Sequence, residues 1–121
     1  MKTDLRKPCA ECPFRKNHMP GWLGPWDAGD LIRHVHRDGK FPCHRTIKGN
    51  VPENQMQSCA GAAIHMNRAI KRSKDPDHAA HQEVLKDAPA SIIESVFQWP
   101  QDFINHHTQD IGEWIKKQKR K

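Results

Sequence analysis

Cys9-Ala10-Glu11-Cys12-Pro13-Phe14-Arg15 decides how this chain is read. It sets two thiols three positions apart in a 121-residue sequence whose other cysteines are Cys43 and Cys59. A two-residue gap lets both sulfurs of such a pair reach one ion or cluster. Four soft ligands make one metal site with none left over. The expected fold class is mostly α, a small single domain with irregular Cys-bearing loops packed around one metal centre. Its expected ligands are Cys9, Cys12, Cys43 and Cys59.

Composition points the same way. Hydrophobic residues make up 36% of the chain, there is no Tyr, and the mean hydropathy is -0.90. A typical globular domain is about 45–50% apolar. A core this lean is marginal by itself, and a bound metal turns binding energy into folding energy. No apolar run reaches the roughly 18 residues of a membrane span, so none is expected. Met1 to Pro8 is charged and lacks an apolar stretch, so no signal peptide is expected and the expected setting is cytoplasmic. Thiols stay reduced there, which favours metal over disulfides.

The net charge is +6, yet Lys116, Lys117, Lys119, Arg120 and Lys121 supply five of the positive charges and leave the remainder at +1. The expected division is a metal-binding domain over 1–115 and a basic C-terminal tail over 116–121. These five residues, with Arg15, Lys16, Arg45, Lys48, Arg68, Lys71 and Arg72, are candidates for contacts to nucleic-acid phosphates. The plainer reading is a solvated, frayed end.

Pro8, Pro13, Pro20 and Pro25 predict an irregular first 26 residues. Trp22 and Trp26 are expected in the small core or over the metal, with base stacking as the alternative. Asp27 as N-cap, the Leu31, Ile32 and Val35 face, and Gly39 as stop predict the first helix. Its His34 and His36 point to different sides and make a poor metal pair. Phe41-Pro42-Cys43-His44 reads as an extended piece and Lys48-Gly49-Asn50 as a turn. Cys59, Ala63, Met66 and Ile70 form one stripe of a helix that starts within 52–59 and runs to about Ser73. The small residues Gly61, Ala62 and Ala63 leave its start open to close approach. A cysteine in a first helical turn is held as thiolate by the helix N-terminus. Lys74-Asp75-Pro76-Asp77 reads as a break before a short helix over 78–86. Ser91 to Gln98 reads as helical, Pro100 opens a helix with Phe103 and Ile104, and Thr108 caps a last one carrying Ile111, Trp114 and Ile115. His78 and His81, like His106 and His107, could form a weak second metal site, but solvated surface is the expectation.

The spacing C-x2-C, thirty residues, C, fifteen residues, C splits the second pair. Structural zinc usually takes two close pairs, whereas iron–sulfur clusters use scattered single cysteines more readily. A [4Fe–4S] cluster is therefore expected ahead of Zn2+. His44 and Arg15 are expected beside the ligands, and His44 is the one candidate catalytic acid or base. A thiol redox pair lacks its βαβ setting, and a cysteine nucleophile leaves the count of four unexplained.

The ordered motifs CAECPFR at 9–15, FPCHRT at 41–46 and SCAGAA at 58–63 resemble a small bacterial and phage family catalogued as domain of unknown function 6283. The matching residues are Cys9, Cys12, Pro13, Phe14, Arg15, Phe41, Cys43, His44, Cys59, Ala60 and Gly61. Ala62 stands where that family often has an aromatic, which could open space beside the site. In spacing alone the cysteines are also similar to those of iron–sulfur uracil-DNA glycosylases, whose catalytic motifs this chain lacks. The family resemblance implies a metal site and carries no activity. The expected function is a small iron–sulfur binding or regulatory module, associated with nucleic acid or a host protein. The alternatives are a metal-dependent enzyme using His44 and a structural zinc protein that supports an interaction surface.

Overall fold

Phe14, two residues past Cys12, is wholly buried and joins the cysteine segment to the core. Its ring stacks on Phe103 with centroids 5.0 Å apart and meets Phe41 edge-on at 6.0 Å. Around it lie Leu31, Val35, Ile64, Met66 and Val96. The computed structural model describes residues 1–21, 23–24, 26–39, 41–43 and 52–119. Among them it is mostly helical, with isolated bridges in place of strands.

The first helix, α1, spans Ala28–Asp38. Asp27 caps it by accepting from the N–H groups of Gly29 and Asp30, and Gly39 ends it at φ 72°. A Cβ at Gly39 would also collide with the Ser73 side chain, so the stop needs glycine on two counts. His34 rests on Trp26 and His36 on His65, the two separate sides expected of them. Trp26 itself is 38% exposed and is not part of the core, against expectation. Trp22 lies outside the described residues, as does the turn expected at 48–50.

The second helix, α2, is Ala60–Arg68, preceded by a single 3-10 turn at Glu53–Gln55. It is shorter than its apolar stripe suggests. Cys59, Ala63 and Met66 are buried, but Ile70 sits past the end at φ 56° and is 91% exposed. A third helix, α3, covers Pro76–Leu85 and packs on α2. The expected break is its start: Asp75 caps it and Pro76 occupies the first turn, where the missing N–H costs nothing. The helix α4 is only Ala90–Glu94. The expected continuation to Gln98 fails because Val96 and Phe97 instead pair with the N-terminal segment. Phe97 N–H donates to Phe14 O at 3.0 Å, and Lys16 N–H to Ser95 O at 2.8 Å.

The helix α5, Pro100–Thr108, packs on α1, and α6 spans Ile111–Lys119. Thr108 does not cap α6; its hydroxyl bonds back to Ile104 O, and Asp110 accepts the Glu113 N–H instead. Because α6 runs through Lys119, the residues expected as a loose tail are helical as far as they are described. No helix among the described residues is long and apolar enough to cross a membrane.

The histidines expected on the surface are largely inside. His78, His81 and His107 are buried. His81 donates to Leu5 O at 2.7 Å, His107 to Pro13 O at 2.7 Å, and His106 to His18 O. Gly21 N–H donates to the other His107 ring nitrogen at 3.1 Å, which fixes the tautomer. An irregular segment cannot satisfy its own backbone groups, and imidazoles from α3 and α5 do so. Replacing His107 with Ala strands a buried carbonyl and an N–H. We expect a loss of about 2–3 kcal/mol in denaturant unfolding.

Burial lowers His65, His78 and His107 from 6.5 to about 4. They stay neutral in the fold where the unfolded chain takes up protons. Stability should therefore fall as pH drops from about 6.5 towards 4, with little further change from these groups below that. Urea midpoints measured between pH 7 and 4 check this, and the H107A variant should show a shallower fall.

Candidate metal centre

Two short pairings bring the single cysteines together. The segment ahead of α2 runs beside Lys2 on one side and beside residues 41–43 on the other. Cys43 N–H donates to Gln57 O at 2.7 Å, Cys59 N–H to Phe41 O at 2.8 Å, and Ser58 N–H to Lys2 O at 2.8 Å. Pro42, which cannot donate, sits at the bridge to Ser58. Cys43 and Cys59 are both buried.

The Cys9–Cys12 pair forms a tight turn. Cys12 N–H donates to Cys9 O and Arg15 N–H to Cys12 O, each at 3.1 Å. Arg15 Nη1 reaches Cys9 O at 3.4 Å, so the arginine expected near the ligands does brace their turn. His107 holds the next carbonyl, Pro13 O, a role that no spacing in the sequence signals.

This turn drives Cys12 against the start of α2. The Cys12 and Cys59 sulfurs are 3.9 Å apart. Cys59 is the N-cap of α2, and its sulfur accepts the Ala62 N–H at 3.4 Å. That position puts the sulfur at the positive end of the helix dipole. Hydrogen bonds with the Cys59 and Cys9 side chains, together with burial, push the Cys12 thiol well above its usual range. A metal bound at these sulfurs must displace such protons.

None of the four cysteines is in a disulfide. Cys9 and Cys43 line one open cleft of about 670 Å³ with Leu5, Pro8, Pro89 and Ile92. The Cys12 and Cys59 sulfurs are thus in contact, Cys9 interacts with Cys12, and Cys43 shares a cleft with Cys9. Among the described residues, no group of three or more His, Cys, Asp or Glu is already set at metal-holding geometry.

One sulfur pair does stand at the spacing that a small soft cation requires. A tetrahedral ion with metal–sulfur bonds of about 2.3 Å holds its sulfurs about 3.8 Å apart. Cys12 and Cys59 stand at nearly that separation. In a four-iron cluster each thiolate binds its own iron, so an iron–iron edge also separates the sulfurs and they stand wider. Gly61 makes the approach possible: a Cβ there would lie 2.3 Å from the Cys12 sulfur and 3.0 Å from Phe14 Cβ. Ala62 is wholly buried.

Other candidate site residues fare differently. His44, Arg45, Lys48, Arg120 and Lys121 lie outside the described residues. The Arg68 guanidinium donates to Ile93 O, Val96 O and Gln98 Oε1. Arg72 stands 3.8 Å from Glu83, while Lys71, Lys116, Lys117 and Lys119 are exposed. Asp77 meets the Met1 ammonium instead of joining His78 and His81.

No family model, curated protein or solved structure matches the chain.

Gly61→Ala must push the Cys12 turn away from α2. We expect lower metal affinity together with an unfolding free energy reduced by about 1–3 kcal/mol, the usual range for overpacking. Gly24→Ala is a useful contrast. A Cβ at Gly24 meets nothing within 4 Å, though its φ of 65° adds local strain. It should cost some stability and leave metal affinity unchanged.

Proposed function

We propose that the protein is a small zinc-stabilised binding module in which Cys9, Cys12, Cys43 and Cys59 hold one Zn2+. The observation that carries this reading is the 3.9 Å separation of the Cys12 and Cys59 sulfurs, the spacing of a single ion's ligands. Zinc would tie three separate pieces of chain: the N-terminal turn, the segment at 41–43 and the start of α2. Crosslinking pieces so distant in sequence restricts the unfolded chain, which a lean core needs.

Four thiolates fill a tetrahedral ion, so such a centre has no open position for water. The ion then serves structure, and function falls to the surface it supports. The iron–sulfur alternative draws on the split spacing of the last two cysteines and on the cleft beside Cys9 and Cys43, which has room for a larger group. The enzyme alternative rests on His44, next to Cys43 in sequence.

Metal analysis with a visible spectrum, on protein purified without oxygen, separates these readings. We expect a colourless protein with about one zinc per chain. Cys12→Ser and Cys59→Ser should lose stoichiometric zinc and unfold at markedly lower denaturant, and chelator should do the same to the wild type. A brown protein with about four iron and four sulfide would replace zinc with the cluster. A folded protein with neither metal would overturn both. His44→Ala should leave zinc content unchanged.

A further inference from the structure

The outer face of α1 carries a feature unrelated to the cysteines. An open cleft of about 650 Å³ is lined by Trp26, Asp30, Arg33, His34, His36 and Arg37. Asp30, Arg33, His34 and Arg37 recur at three- and four-residue steps, so they form one stripe of the helix. The opposite stripe, Leu31, Ile32 and Val35, is buried in the core.

Trp26 is an exposed indole in a chain with few aromatic residues to spare. His34 backs it, with ring centroids 5.1 Å apart, which steadies the ring. Arg33 and Arg37 sit one turn apart beside it. Arg33 bonds to Asp30, but both side chains are well exposed, at 71% and 62%. An exposed pair of this kind is cheap to break. A phosphate can therefore take Arg33 from Asp30. His36 donates to the His65 ring, whose other nitrogen bonds Phe97 O at 2.7 Å. This chain anchors the inner edge of the cleft to the core.

We propose that this cleft binds single-stranded nucleic acid, with one base stacked on Trp26 and adjacent phosphates on Arg33 and Arg37. A flat aromatic face beside guanidiniums is the chemistry that takes an unpaired base and its backbone, and it is tolerant of sequence. A duplex keeps its bases stacked and offers no free face to Trp26. The site differs from the basic residues singled out by sequence, since Arg68 is occupied inside the fold. It does not depend on which metal the cysteines hold.

The test is fluorescence anisotropy of a labelled twelve-residue oligothymidylate with the full-length, metal-loaded protein over a range of salt. Trp26→Ala should weaken binding about tenfold, within the range of a lost stacking contact. Arg33→Glu with Arg37→Glu should weaken it further and make the salt dependence shallower. Asp30→Asn should tighten it, because a negative charge leaves the phosphate path. Thermal unfolding confirms that each variant stays folded. Wild-type affinity in the Trp26 variant, no binding by the wild type, or binding abolished only by Lys116→Gln, Lys117→Gln and Lys119→Gln would each overturn the proposal.

Discussion

An irregular segment that dips into the core must find hydrogen-bond partners for the backbone it buries, and that constraint shapes this fold. Residues 1–21 form neither helix nor strand, yet they carry Cys9, Cys12 and Phe14 into the core. Their carbonyls cannot be left dry without cost. Side chains from the helices supply the partners. His81 reaches Leu5, His107 reaches Pro13, and His106 reaches His18. Phe97 and Ser58 N–H groups bond Phe14 O and Lys2 O, and turn bonds within the segment hold Cys9, Cys12 and Arg15 O. His81 and His107 act as neutral donors, which is consistent with burial lowering their pKa.

The cysteine neighbourhood follows from that anchoring. With Pro13 held by His107 and Phe14 stacked on Phe103, the turn between Cys9 and Cys12 has little freedom. It faces the N-terminus of α2, where Cys59 accepts a backbone N–H and Gly61 leaves room for the Cys12 sulfur. The helix N-terminus, the glycine notch and the turn together bring the Cys12 and Cys59 sulfurs into contact. The zinc proposal needs Cys9 and Cys43 to close around that contact. A cluster needs the Cys12 and Cys59 sulfurs to part.

Much of the helical layout was legible because the local signals were strong. Asp27, the Leu31–Val35 face and Gly39 marked both ends of α1, and Pro100 marked the start of α5. The failures have a common cause. The stripe through Ile70 overran α2 because apolar periodicity carries no information about where a chain turns away. Val96 and Phe97 look helical in isolation, but Phe14 O offers a partner that only long-range contact reveals. Arg68 looks like a surface cation for the same reason. Its guanidinium is claimed by carbonyls near the end of α4, 25 and 28 residues away.

Sequence alone determined the cysteine set, the mostly helical class and the irregular N-terminal segment. Each follows from residue types and short spacings whose physics is local. The tertiary structure decided what the histidines do, that Trp26 stays exposed, and how closely two sulfurs approach. Those outcomes depend on which distant carbonyl meets which ring and on a glycine notch facing one particular thiol. A one-dimensional pattern holds the identities of those partners but not their meeting.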